Sequence, residues 1–420
     1  MNMMSSPPAK APAPPVMSER RVALLGGLLI AIGPVSMALY TPAMPEIMAA
    51  FGTTASAVKL TLTAYFAGFA LAQLVAGPLS DGFGRKPVTI AFMGLYLAAS
   101  VLALAAPSID ALIAARFLQG AGAAVGVAIS RAIVRDLFTH EKSARIMNMM
   151  GIILAVGPAF SPVIGGLVMQ AFGWHAIFLV MAAGGLAIVL GTLIFMRETV
   201  RRDLSRIRPA AIARSYGQLL SSRYFMLSTA LIGCSLGAIY TLASILPFVL
   251  IERVGLSATQ FGLAMLMQSG SYFFGSVAAR AMMGRIGSRR LVPIGLGFVA
   301  TGAVLVAIFS RAVEPSLASV MGPVAFYAFG IAFIMPAMMT ATVAPFPHIA
   351  GAASALSGFF QMASGLLGTL VAVMIGDPLV ALGWIIPVMG LLAVGVWLVF
   401  HRLPDPVSHV TPVEAPAPTP

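Results

Sequence analysis

Charge is what this sequence has least of. Only 9% of its 420 residues are charged, and 13 acids stand against 25 lysines and arginines. A soluble domain carries roughly 25% charged residues, so a water-facing globule is excluded. An apolar share of 59% also excludes a disordered chain, which is poor in hydrophobic side chains. Cysteine is almost absent. Cys234 stands alone, which rules out an intramolecular disulfide and any cysteine-built metal site. A nucleotide-cradling loop is missing too, because Gly120-Ala121-Gly122 lies in an apolar run with no lysine after it. No catalytic pair emerges, so an enzyme is not expected, and neither a cofactor nor a metal is implied.

Long apolar runs are what the chain does have. A helix needs about 20 mostly apolar residues to cross a bilayer, and twelve such stretches can be read. They lie near 22–43, 58–79, 88–105, 111–133, 145–170 and 176–196, then near 223–250, 260–281, 291–310, 317–343, 351–375 and 381–402. Strands of a membrane barrel would alternate apolar and polar residues over about 10 positions, and these runs do not. No signal peptide is visible ahead of the first span. The predicted fold is an all-α integral membrane protein of twelve transmembrane helices in two six-helix lobes. Residues 21–196 form the first lobe and 223–402 the second, joined by a polar loop at 197–222. Tails at 1–20 and 403–420 are expected to be disordered, and the loop to be solvated.

Basic residues orient the bundle, because they accumulate on the cytoplasmic side. With the N-terminus cytoplasmic, 21 of the 25 lysines and arginines fall on that side. Lys59, Arg253 and Arg311 fall outside, and Arg116 falls within a span. Both termini are therefore expected in the cytoplasm. The net charge of +12 reflects topology, so the partner is a lipid bilayer and not nucleic acid.

The two halves echo each other between their second and third spans. The first reads Gly77-Pro78-Leu79-Ser80-Asp81-Gly82-Phe83-Gly84-Arg85-Lys86-Pro87, the second Gly284-Arg285-Ile286-Gly287-Ser288-Arg289-Arg290. Glycine allows both tight reversals, and bases follow at the membrane surface. A duplicated six-span unit fits a secondary transporter whose substrate site lies between its lobes.

The first of these turns resembles the signature loop of the major facilitator superfamily. Arg116-Phe117-Leu118-Gln119-Gly120-Ala121-Gly122 resembles the fourth-span motif of its drug:proton antiporters, and Gly157-Pro158-Ala159-Phe160-Ser161-Pro162-Val163-Ile164-Gly165-Gly166 the fifth-span antiporter motif. Tyr40-Thr41-Pro42-Ala43-Met44-Pro45, Pro345-Phe346-Pro347-His348-Ile349-Ala350-Gly351 and Ala353-Ser354-Ala355-Leu356 add a likeness to the Bcr/CflA branch of drug efflux proteins. The resemblance implies a bacterial inner-membrane exporter that exchanges small-molecule substrates for protons, with a monomer as the functional unit. It also implies a latch in which Asp81 faces the start of the eleventh span and Arg85 pairs with Asp136. The family usually has arginine where this chain has Gly82, which leaves the latch one cation short. In the fifth-span motif, Pro158 and Pro162 would kink the helix, while Gly157, Gly165 and Gly166 would let it approach its neighbours.

Arg116 is the one base well inside a span. A charge there costs roughly 2.5–3.5 kcal/mol on insertion scales, so it should face the interior and be partnered. A structural role, bonded to carbonyls of neighbouring spans, and a role in binding substrate or relaying protons both remain open. Many relatives carry an acid at the position of Ala38. In this chain none of the 13 acids falls at mid-membrane. Neutral or anionic amphipathic substrates are therefore favoured over cations, and proton coupling would use Asp81, Asp136, Glu46 or Asp110, or be absent. The candidate pocket is polar but almost uncharged, with Arg116 among Tyr40, Tyr65, Gln73, Gln119, Tyr240, Gln268, Tyr272, Tyr327 and Gln361. Export of a small metabolite, such as an amino acid or dipeptide, and uncoupled facilitation are the alternatives.

Overall fold

The computed structural model of the chain describes residues 16–138, 140–200, 202–204, 207 and 209–404. Among these residues there are helices and no strands. Twelve of the helices are long, and we label them in chain order. The first lobe has α1 (Glu19–Tyr40), α2 (Ala55–Phe83), α3 (Arg85–Leu104), α4 (Ile109–Leu137), α5 (His140–Phe172) and α6 (Trp174–Phe195). The second has α7 (Arg223–Pro247), α8 (Ala258–Ile286), α9 (Ser288–Ala312), α10 (Leu317–Val343), α11 (Ala350–Ile375) and α12 (Pro378–Phe400). Eleven of the described helices are long and apolar enough to cross a membrane. The exception is α8, whose 29 residues include Gln260, Gln268, Arg280 and Arg285. All twelve predicted spans thus correspond to long helices, of which α8 is the least apolar.

An even number of crossings places the start of α1 and the end of α12 at one end of the bundle, called here the terminal end. Five helices that start at the opposite, far end are capped by a hydroxyl or carboxylate that accepts from the first-turn amides. These caps are Thr54, Ser108, Ser257, Ser316 and Asp377, and each satisfies a donor that the helix itself cannot. At the terminal end, α3 begins instead from a tight turn at Gly84, with φ 105°, a backbone region closed to residues with a Cβ.

Large apolar side chains remain outside the bundle, as in Leu167, Phe172, Leu186, Phe274, Leu367 and Leu391. That outer surface suits lipid, where every backbone group must be satisfied within the helices. Each lobe has its own core. Across the seam α2 lies along α11, and α5 along α8. Ala243, Phe248 and Tyr240 of the second half join the core of the first.

The loop expected to be solvated is only partly so. Residues Pro209–Ser221 form a helix with Leu219 fully buried against Phe225, Ala353 and Leu356. Its Tyr216 hydroxyl donates to the Leu74 carbonyl of α2 at 2.7 Å. The tail assignment also gives way at one point, since Met17 is buried and its sulfur accepts from the Arg197 amide. Residues 1–15 and 405–420 of the tails lie outside the described residues.

Candidate functional site

The interior of the first lobe is built around Arg116. Two glycines of its own motif make room for the neighbours: a Cβ at Gly120 would collide with the Tyr65 carbonyl of α2, and one at Gly122 with the backbone of Phe92 and Tyr96 on α3. Close approach of the three helices brings Tyr65 and Tyr96 inward. Arg116 is wholly buried, and its guanidinium carbon lies 4.4 Å from the ring centroids of both Tyr40 and Tyr65. Attraction between a cation and an aromatic face offsets part of the lost hydration.

Hydrogen bonds tie the surrounding groups together. Arg116 Nη1 donates to Gln119 Oε1. Gln119 Nε2 donates to Ser100 Oγ at 2.7 Å, and Ser100 donates in turn to the Tyr96 carbonyl. Tyr96 bonds to Ser36, whose own proton goes to the Ile32 carbonyl. Tyr40 bonds to Thr61 at 2.6 Å, and the Tyr65 hydroxyl donates to the Gly33 carbonyl at 2.9 Å. Of the predicted pocket residues, the structure thus brings together Tyr40, Tyr65, Arg116 and Gln119. Ser36, Thr61, Tyr96 and Ser100 belong with them and were missed. Tyr96 carries the same sequence signal as Tyr65, a tyrosine within a span, and could have been found by it.

The remaining candidates lie elsewhere. Tyr240 stacks across the seam on Phe66, with ring centroids 5.6 Å apart, and Gln361 bonds within α11 to Ser357. Gln73 fits against Gly358 of α11, leaving its Oε1 without a partner. Gln268 is buried with an unpartnered Oε1. Tyr272 is 38% exposed beside Phe273 and Phe274. Tyr327 departs from the expectation: it is fully buried in the second core and its hydroxyl donates to the Cys234 carbonyl at 3.3 Å. In this conformation it packs against Gly302 of α9 and Gly390 of α12, a direction the sequence could not give because α10 is apolar on every face.

At the terminal end, Arg85 is buried and its Nε sits 3.0 Å from Asp136 Oδ2. Its Nη1 reaches Asp81 at 2.5 Å and Ser80 at 2.6 Å. Asp81 meets Arg85 of its own lobe, and among the described residues it makes no ion pair with α11. The cross-lobe polar contact near that start comes from Arg131, whose Nη1 donates to Ser354 Oγ at 3.1 Å. Glu198, from the linker, accepts from the Arg85 and Lys86 amides at 2.9 and 3.1 Å and so caps α3. Gly82 has a structural reason. Its carbonyl accepts from the Asp203 amide at 2.9 Å, and a Cβ there would run into Ile207. An arginine side chain has no room under this strap.

At the far end, the antiporter-motif residues mediate contact in two directions. A Cβ at Gly165 would strike the Leu39 carbonyl of α1, and one at Gly166 the Ala258 carbonyl of α8. Gly262 of α8 meets Pro162 and Val163 in return, while Gly157 faces Val35. Pro158 and Pro162 stand inside the continuous α5. Lys59, counted above on the outer side at the start of the second span, is buried in the first turns of α2. Its Nζ donates to the Gly376 carbonyl at 3.4 Å and lies over the Phe248 ring, because α11 and the turn after α7 cover that part of α2.

Comparison with known proteins adds three findings. The family model described as Major Facilitator Superfamily matches residues 24–369 and 234–419. The uncharacterized MFS-type transporter YdgK of Bacillus subtilis (strain 168) is 32% identical over 398 residues, which is 90% of this chain and 96% of the relative. Multidrug resistance protein MdtL of Salmonella typhimurium is 28% identical over 393 residues, 92% of this chain and 96% of the relative. Among solved structures, the human organic anion transporter MFSD10 (TETRAN) superposes with a TM-score of 0.64 at 16% identity, over 91% of this chain and 99% of that one. At that identity the likeness speaks for the fold alone.

Proposed function

The chain belongs to the major facilitator superfamily, and from that premise we propose that it exports amphipathic drugs or toxic compounds by alternating access in exchange for protons, with neutral or anionic substrates favoured. The observation that carries this reading is the buried Arg116 cluster in the first lobe, which no acid among the described residues balances. A lipophilic cation would meet a like charge there and pay for its desolvation without a partner. The name given to the MdtL relatives supports efflux of drugs. The excess of basic residues at the terminal end supports a cytoplasmic position for both termini, and the Bcr/CflA-like motifs support a place in a bacterial inner membrane.

In this reading the lobes rock about the seam, closing the far end through the glycine contacts of α5 and α8 and opening it when those contacts part. The carboxylates near Arg85 offer the proton sites. Asp136 accepts from Arg85 and from Thr199 at 3.0 Å each, and protonation would remove its charge and loosen that junction. Proton release from purified protein in proteoliposomes tests the coupling, with neutral, anionic and cationic drugs added in turn. Acidification on adding a neutral or anionic compound, lost in Asp81→Asn or Asp136→Asn, is the expected result. Transport with no pH response would make the chain a facilitator. Replacing Ala38 with Asp is expected to extend export to lipophilic cations, and unchanged efflux of those cations would count against the substrate preference.

A further inference from the structure

The first lobe holds a cation whose counter-charge no described residue supplies. Arg116 is fully buried, and no ion pair among the described residues includes it. The acids of the described chain stand at helix ends or in the linker, as with Asp81, Asp110, Asp136 and Glu198. A lone charge in such a place is costly. Aromatic faces at 4.4 Å reduce that cost, but they do not satisfy N–H donors.

Which donors are left over is the informative point. Arg116 spends Nη1 on Gln119, and the two nitrogens without any partner are Nε and Nη2. These two form one edge of the planar guanidinium, with parallel N–H bonds at the spacing of the two oxygens of a carboxylate. The oxygens of Ser36, Thr61, Tyr65 and Ser100 could accept from an N–H, but none bonds to either nitrogen, and Gln119 Oε1 serves Nη1. An unfilled bidentate edge between two tyrosine faces is a recognition element for a flat monoanion carried on an apolar body.

We propose that Arg116 receives the carboxylate of the transported compound on its Nε–Nη2 edge, so that amphipathic organic acids are the preferred substrate class. This rests on the exporter reading above and narrows it. The edge is sealed from solvent in this conformation, so the acid reaches it when the helices around Tyr40 and Tyr65 part during the transport cycle. Arg116 then selects the charge and geometry of the head group, while the apolar walls accept varied bodies.

The test compares matched pairs on the full-length protein in proteoliposomes: pyrenebutyrate and its primary amide, and two further aryl-alkanoic acids with theirs. Binding is read by fluorescence and export by loss of the compound from the compartment facing the terminal end. A charge-assisted bidentate contact is expected to favour each acid over its amide by about 10- to 100-fold. Arg116→Lys, which keeps the charge and loses the edge, is expected to abolish most of that preference, and Arg116→Gln all of it. The acid–amide comparison on the unaltered protein stands even if both variants fail to fold. Equal binding of acid and amide, with the amide still exported, overturns the proposal and leaves the exporter reading intact. Displacement of the acids by potassium chloride at matched ionic strength, against potassium gluconate as the control, also overturns it, by assigning the edge to an inorganic anion. If acids bind preferentially and nothing is exported, the carboxylate site stands and the exporter reading fails.

Discussion

At the far end the lobes meet on backbone groups, approached by bare glycines of α5 and α8 and by short-range side-chain bonds from α2, whereas at the terminal end they are joined through longer side chains and a linker. Gly166 and Gly262 admit the carbonyls of Ala258 and Pro162, and Ser56 and Lys59 of α2 donate to the Val373 and Gly376 carbonyls at the last turn of α11. Those carbonyls have no intrahelical partner, and the end of a helix favours a cation. At the terminal end, by contrast, Arg131 reaches Ser354, and the linker helix touches α2 through Tyr216 and α7 and α11 through Leu219. The α5–α8 contact of the far-end joint depends on having no side chain in the way, so it is either closed or apart. The terminal joint runs through longer, adjustable groups that can stay attached while the lobes move.

Adding bulk to the far-end joint should break the contrast most severely. Gly166→Val or Gly262→Val forces a side chain against backbone, and overpacking of this kind costs about 1–3 kcal/mol. The closed population is expected to fall roughly five- to a hundred-fold, and efflux with it. Gly151→Val on the same helix, where nothing lies within 4 Å, should transport normally. Equal effects of the two would show that α5 has no special contact.

A smaller effect is expected at Lys59. Lys59→Met keeps most of the buried volume and loses the bond to Gly376, for which about 1 kcal/mol is reasonable. In a Cys234→Ala background, a Ser56→Cys thiol should then react several-fold faster with an impermeant maleimide. An unchanged rate would mean that the lysine does not help to hold the far end shut.

Gly82→Arg sharpens the comparison from the other side. It should displace the strap at Asp203 and Ile207 and raise trypsin cleavage in that segment, because a loosened segment opens locally without global unfolding. Far-end thiol reactivity should stay the same. If it rises as well, the two joints are not independent.

Tyr216→Phe is the mildest of the set. Loss of one hydrogen bond costs about 0.5–1.5 kcal/mol, and Leu219 still anchors the helix. Burial pushes the Tyr216 phenol above its ordinary value, so the proton needed for the bond to Leu74 is retained well into alkaline solution. The contribution is present below the unfolded value near 10 and is lost only as pH rises through the folded one. Melting temperatures of Tyr216→Phe and the unaltered chain should therefore differ by the same few degrees at pH 6 and at pH 9.

The spans were legible in the sequence because a run of about 20 apolar residues has few other uses. Arg116 was legible because an interior charge is rare. The inward face of each span was not. α10 and α12 are apolar all round, so periodicity gives no direction, and Tyr327 was placed in the pocket although it packs against α7. The burial of Lys59 at the outer end of its span was not legible, because only the fold shows α11 covering the first turns of α2. The linker helix was missed because its 13 residues carry one buried anchor, Leu219, among small and polar residues with a single arginine, Arg214. The Asp81–Arg85 pair, one turn apart on the sequence, was not anticipated, since Asp81 was read only as facing α11.

Two distances measured on one protein test the rocking of the lobes most directly. Spin labels at Ala50 and Arg311 report on the far end, and labels at Lys142 and Arg290 on the terminal end, all exposed positions in a Cys234→Ala background. Adding a transported compound, or shifting pH, should lengthen one distance and shorten the other by several ångströms. Distances that both stay fixed while transport proceeds, or that change in the same direction, would contradict alternating access about this seam.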